Sequence, residues 1–139
     1  MTEPVGGVSE LRVVITVDDY DAAVALYRDA LGMPQIADYS APTGRVIVVD
    51  AGRATIEIAD QQHAGYVDDV EVGRRVAGQI RIALEVTDVR HATTAALDHG
   101  ATLIATPTAT PWESLNARLD DSNGVQLTLF GAADAPGRP

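Results

Sequence analysis

The sequence predicts an α+β fold of two βαβββ modules in tandem, whose strands form a cup-shaped, curved mixed sheet with helices outside. Three observations predict it: one pattern is written twice, each copy passes from a strand period to a helical period and back, and neither copy covers its own sheet. Leu11 to Val17, LRVVITV, precedes the acidic turn DDYD and the run AAVALYRDALG; Gln79 to Val86, QIRIALEV, precedes TDVRHATTAALDHG. Arg12 thereby falls on Arg81, Val17 on Val86 and Asp19 on Asp88, at a constant separation of 69 residues. A repeat of this length is a supersecondary unit that buries its apolar face only against a neighbour.

In the first copy, Arg12, Val14 and Thr16 alternate with Val13, Ile15 and Val17, a strand with one wholly apolar face. Asp18 and Asp19 offer an N-cap, Tyr20, Val24, Tyr27 and Leu31 recur at helical spacing, and Gly32 closes the helix. GRVIVVDAG and RATIEIAD read as two short strands joined by a Gly-containing turn at Asp50 to Gly52. The stretch 61–78 has no sustained hydrophobic period and is expected to be a surface crossover. In the second copy, Arg81, Ala83 and Glu85 alternate with Ile82, Leu84 and Val86, Asp88 caps a helix, and Gly100 ends it. ATLIAT is a short strand, and TPTATPW is expected to be a loop because proline disfavours regular pairing. NARLDD and VQLTLF close the chain as a hairpin about SNG, with Gln126, Thr128 and Phe130 on one face. The expected organisation is a tail at 1–9, one domain at 10–131 (modules at about 10–60 and 79–131, crossover 61–78), and a tail at 132–139.

Composition narrows the partners. Twenty acidic against ten basic residues give a formal charge of −10, which argues against nucleic acid and anionic membranes. No cysteine is present, so thiolate nucleophiles, thiolate metal sites and disulfides are excluded. The N-terminal MTEPVGGVSE has no basic segment followed by an apolar run, and no stretch is long enough to span a bilayer, so a cytoplasmic location is expected.

VDDYDAAVALYRDALG, its echo EVTDVRHA, the PW of the second half and the terminal DSNGVQLTLF resemble the vicinal oxygen chelate superfamily. That group contains glyoxalases, extradiol dioxygenases, fosfomycin-resistance enzymes and bleomycin-resistance proteins. The resemblance covers roughly residues 10–131 and implies two modules forming a cup, usually within a homodimer. In metal-dependent members, four residues from the first and last strands of each module hold a divalent ion. Carried over, those positions are Arg12, Glu57, Arg81 and Thr128, of which only Glu57 matches. Glu57 and Thr128 are equivalent at a separation of 71. Guanidinium stays protonated and has no lone pair for a metal, so no metal and no cofactor are expected. His63, His91 and His99 are expected at the surface.

Candidate ligand-binding residues are Arg12, Thr16, Glu57, Arg81, Glu85, Trp112, Gln126 and Thr128. Two readings of the charges stay open. In one, Glu57 and Glu85 neutralise Arg12 and Arg81 as an internal ion-pair network; in the other, an arginine grips a carboxylate, phosphate or enolate oxygen of the ligand. Trp112 either stacks on a flat ring over the cup or packs beneath its loop. The expected function is metal-independent binding of a small organic molecule, by sequestration or carriage as in antibiotic resistance of the bleomycin-resistance type. The acidic surface would suit a cationic drug. The alternatives are a glyoxalase-like isomerase or lyase, with Glu57 as candidate catalytic base beside an arginine-stabilised enolate, and an accessory or regulatory module without turnover.

Overall fold

A computed structural model describes residues 7–121 and 124–133. Most of both expected tails and part of the SNG turn lie outside the described residues. The strands are β1 (Val8–Val17), β2 (Gln35–Asp38), β3 (Val46–Asp50), β4 (Thr55–Asp60), β5 (Ile80–Val86), β6 (Thr102–Ala109), β7 (Ser114–Asp120) and β8 (Gln126–Ala132). They form one eight-stranded sheet in the order β2-β3-β4-β1-β5-β8-β7-β6. The helices are α1 (Tyr20–Val24), continued by a π-helical segment Ala25–Ala30, α2 (Gln61–Glu71) and α3 (Val89–Asp98).

The two modules meet in one chain along β1 and β5, which pair antiparallel with Val13 opposite Ile82. Those two residues are equivalent at the separation of 69, so a pseudo-twofold axis passes between them. Within each module the first and last strands run parallel, and the registers agree: Val14 faces Glu57 on β4, and its equivalent Ala83 faces Thr128 on β8. Arg12, Val14, Arg81 and Ala83 therefore share the inner face of the sheet.

Two apolar clusters cover the outer face. Tyr20 and Val24 of α1 pack on Ile47, Val49 and Ile58, and Val89 and Ala92 of α3 pack on Val86, Leu115, Leu119 and Leu129. Both helices start where aspartate predicts a cap: Asp19 accepts from the Ala22 amide at 3.0 Å and Asp88 from the His91 amide at 3.0 Å. Such caps contribute about 1 kcal/mol each.

Three expectations are corrected. The tail expected to run to residue 9 ends earlier, because Val8 already pairs with Val86. The expected βαβββ order is met in the first module by β2, which precedes β3 and is the strand the residue pattern did not locate. The TPTATPW segment is not all loop: β6 runs through Pro107 to Ala109, tolerated because β6 is an edge strand with register irregularities on either side of Ala105. The crossover is not a surface connection. Asp60 caps α2 by accepting from the His63 amide at 2.8 Å, and α2 buries Ala64, Val67, Asp68 and Glu71. That face is the i, i+3, i+4, i+7 stripe of a packed helix. Its partners Asn116 and Arg118 stand opposite Phe130 and Thr128, so α2 lies on the concave side, and only α1 and α3 are outside.

Candidate functional site

The concave side is divided by α2. At one end α2 closes over β1 and β4, leaving beside Val14, Thr16, Ala59, Val67 and Arg81 a void of about 10 Å³. Beyond α2 a cleft of about 680 Å³ opens, floored by Arg12, Val14, Glu57, Arg81, Ala83, Thr128 and Phe130. Tyr39, Tyr66 and Trp112 stand around it, and the polar lining includes His63, Glu71, Glu85, Glu113 and Asn116.

Six of the eight candidate residues meet in this cleft: Arg12, Glu57, Arg81, Glu85, Trp112 and Thr128. Thr16 does not reach it, being buried at the end that α2 covers. Gln126 is also diverted: its side chain accepts from Arg118 at 2.8 Å and donates to the Val76 carbonyl at 3.1 Å.

The two arginines stand in unlike surroundings. Arg12 donates from Nη1 to Glu57 at 3.1 Å, and from Nε and Nη2 to Glu10 at 3.1 Å. Its carbon Cζ lies 5.3 Å from the centre of the Phe130 ring, a cation–π distance. Burial works against the Arg12 charge, and the flanking Glu57 and Glu10 more than compensate, holding its pKa above the ordinary arginine value. Arg81 is 8% exposed and donates from Nη1 to the Thr128 hydroxyl at 2.6 Å, while its Nε is buried without an acceptor. Burial, reinforced by the nearby Arg118 charge, pulls its pKa below the ordinary value against the attraction of Glu57, Glu71 and Asp68. A guanidinium so perturbed is still a cation near neutral pH.

Internal neutralisation is therefore half of what the sequence suggested. Glu57 pairs with Arg12, but Glu85 accepts instead from Ser9 at 2.7 Å. Arg81 and Glu85 point to the same face two pleats apart on one strand, roughly 13 Å along it, too far for contact.

Sequence reasoning missed two features. His63, expected at the surface, is half-buried at the cleft with its Nδ1 unpartnered. Burial lowers its pKa against the pull of Glu57 and Asp60, and Arg81 adds to the lowering, so the imidazole is neutral at neutral pH. His91 and His99 are exposed. The second feature is a buried charge cluster behind the cleft. Arg118 donates from Nε to Glu71 at 3.0 Å and from Nη1 to Asp68 at 2.8 Å, with all three side chains at most 1% exposed. Asp68 also accepts from Arg75 and the Val76 and Ala77 amides, each at 2.9 Å. The helical stripe 64, 67, 68, 71 was the available signal, hidden because two of its four members are acids.

Trp112 occupies the turn between β6 and β7, which Thr110 and Ser114 pin through side chain and backbone. The residue after it, Glu113, takes a left-handed φ of 65°, a conformation rare outside glycine. The indole is 41% exposed, lines the cleft and lies 6.0 Å from the Tyr66 ring at a 50° tilt. It is thus not packed beneath its loop.

At the four positions where metal-dependent relatives would hold an ion, the residues are one carboxylate, one hydroxyl and two guanidiniums. The carboxylate and the hydroxyl each accept from an arginine. This set does not fit a divalent cation: the guanidiniums donate no lone pairs and repel it. Among the described residues no three His, Asp or Glu side chains gather as a metal group.

A pseudo-symmetric pair of βαβββ modules joined into one curved sheet, with a cleft between them, defines the two-module cup class. The chain belongs to the Glyoxalase/Bleomycin resistance protein/Dioxygenase superfamily, whose family profile matches residues 11–129. Similar solved structures include methylmalonyl-CoA epimerase from Mycobacterium tuberculosis, with a TM-score of 0.67 and 20% identity over 96% of this chain and 94% of that one. The Streptomyces coelicolor methylmalonyl-CoA epimerase in complex with 2-nitronate-propionyl-CoA gives a TM-score of 0.64 at 18% identity, covering 92% and 100%. A superfamily member from Vibrio splendidus gives 0.58 at 8% identity, covering 88% and 97%. At these identities the likeness is one of fold. No curated protein sequence matches significantly. Among the described residues no helix is long and apolar enough to cross a membrane.

Proposed function

We propose that this protein binds a small organic molecule in the cleft between its modules without a metal ion, by sequestration or carriage. The carrying observation is that the inner-face positions of the four end strands hold an Arg12–Glu57 ion pair and an Arg81–Thr128 hydrogen bond. Those contacts replace coordination, yet the cleft around them remains open at about 680 Å³, within the usual range for a small-molecule site. Trp112, Tyr66 and Phe130 supply apolar surface, and the charged floor supplies orientation.

The test is a thermal-shift screen of aromatic antibiotics and small organic acids, with and without EDTA, on protein purified without a metal-affinity tag. A ligand at a hundred times its Kd stabilises the fold by about 2.7 kcal/mol. Shifts that persist in EDTA support the reading, and a stoichiometric divalent ion required for binding refutes it. A second reading, an isomerase or lyase, is favoured by the cleft-facing neutral His63 in the company of Glu57. Product formation from a screening hit, abolished by Glu57→Gln, would establish turnover in place of carriage.

A further inference from the structure

The internal repeat allows one half of the site to be judged against the other. At the separation of 69, Arg12 corresponds to Arg81 and Glu10 to Gln79; at 71, Glu57 corresponds to Thr128. The first-module arginine is held by both of its acids, through hydrogen bonds at 3.1 Å to each. In the second module both equivalents are neutral. Arg81 keeps the geometric counterpart of the Arg12–Glu57 contact, its bond to Thr128, and has no ion-pair partner among the described residues.

Resting on the small-molecule reading above, we propose that Arg81 and Thr128 form a carboxylate-binding subsite on the cleft floor, and that the ligand is a small monoanionic organic acid with a flat apolar part. Burying a cation that makes no direct ion pair is unfavourable, and the more distant charges of Glu57, Glu71 and Asp68 offset the burial only in part. Nη1 is engaged by Thr128 and Nε is sealed from solvent without an acceptor, so Nη2 is the nitrogen left to donate a charge-assisted hydrogen bond to a carboxylate. A water in the adjacent 10 Å³ void is large enough to satisfy one N–H but supplies no charge. Arg81, without an ion-pair partner among the described residues, matches a single negative charge, whereas a phosphate dianion would bring a second one toward Glu57 and Glu71 of the same lining. Trp112 and Tyr66 across the cleft then face the apolar remainder of the acid.

The test is isothermal titration of naphthoate, its neutral isostere naphthamide, and naphthyl phosphate into wild type, Arg81→Met and Arg81→Lys, with melting curves for each protein. Wild type is expected to bind naphthoate on the order of tenfold or more tighter than naphthamide, the scale of a charge-assisted hydrogen bond, and tighter than the phosphate. Arg81→Met is expected to lose that preference while melting at or above the wild-type temperature, because it removes a desolvated charge. Arg81→Lys, which keeps the charge on a shorter side chain, should fall between. A variant that fails to fold or melts far below wild type would make Arg81 a structural strut and overturn the proposal. Equal naphthoate and naphthamide affinity in wild type, which needs no variant, would overturn it while leaving the small-molecule reading intact. Preference for the phosphate overturns the monoanion assignment. Binding of neither naphthoate nor naphthamide also overturns the carboxylate subsite, and the wider screen in EDTA then decides the small-molecule reading separately.

Discussion

Replacing Arg118 by methionine isolates the buried charge cluster behind the cleft. Arg118 is completely buried and gives Glu71 and Asp68 one hydrogen bond each, at 3.0 and 2.8 Å. Asp68 survives its loss comparatively well, keeping Arg75 and two backbone amides at 2.9 Å. Glu71 keeps only the Asn116 amide at 2.7 Å, so most of the cost falls there. Removing one partner of a buried ion pair costs about 3–5 kcal/mol. At roughly 3–4 °C per kcal/mol for a domain of this size, Tm should fall by about 9–20 °C.

The penalty must also depend on pH. Burial already raises the Glu71 pKa above the usual glutamate value, with Arg118, Arg81 and Asn116 opposing, and removing Arg118 raises it further. A carboxyl whose folded pKa exceeds its unfolded one favours the folded state in acid, and that advantage is lost as pH rises through the folded value. For Asp68, burial is outweighed by hydrogen bonds from Ala77, Val76, Arg75 and Arg118, so its pKa lies below the usual range. Its stabilisation is present above about pH 3.9 and lost below, and the variant has less of it to lose. Both effects make the Arg118→Met deficit largest near neutrality and smaller in acid. Urea denaturation at about pH 7.5 and about pH 5 reads the difference directly. A deficit under about 1 kcal/mol, or one that does not shrink in acid, would refute the ion-pair account. Adding Glu71→Leu should restore part of the loss, because an apolar side chain has no charge to desolvate.

Three further outcomes are expected. Gly44 has φ +135°, and a Cβ there would fall on the backbone of His63, 2.6 Å from its Cα, so Gly44→Ala should cost roughly 2–4 kcal/mol in denaturation experiments; a neutral result would mean that the loop before β3 yields freely. His63 has its pKa lowered by burial, so the stability it contributes is held above about pH 6.5 and lost as pH falls below that value. His63→Asn should therefore flatten the decline in Tm between about pH 7.5 and pH 5, and an unchanged slope would remove the buried-imidazole account. Trp112→Ala should weaken naphthoate binding by about tenfold while changing stability by less than about 1 kcal/mol, since the indole is 41% exposed; unchanged affinity would take Trp112 out of the site.

The β-branched strands, their alternation and the aspartate caps were legible because each is a local signal read by the same physics that forms the element. The equivalence of Arg12 with Arg81 and of Glu57 with Thr128 was legible because the repeat carries its own register, which the parallel ladders β1–β4 and β5–β8 reproduce. Helix α2 was not legible as a packed element. A hydrophobic period registers only apolar burial, and α2 buries Asp68 and Glu71 alongside Ala64 and Val67. Those acids are tolerated because Arg118, two strands from β5, stands opposite Thr128 and turns to the same face. No window along the chain brings residues 68, 71 and 118 together. His63 was misplaced for the same reason, since its burial depends on the helix that begins at Gln61.

Helix α2 also explains why Arg81 makes no direct ion pair among the described residues, although Asp68 and Glu71 lie near enough to act on its charge. Both oxygens of Glu71 are taken, one by Arg118 and one by Asn116. Asp68 is likewise engaged, with one oxygen on Arg118 and the other on Arg75 and two backbone amides. Glu57 accepts from Arg12, and Glu85 lies too far along β5. Each of these four acids thus has at least one oxygen on a partner other than Arg81. Turning Asp68 or Glu71 to Arg81 would break a contact with Arg118 or Asn116, at the buried-pair cost worked out for Arg118. An anion arriving through the cleft past Trp112 supplies a direct counter-charge without breaking any, and that difference is the physical basis on which the second-module arginine, unlike the first, is set to meet a ligand.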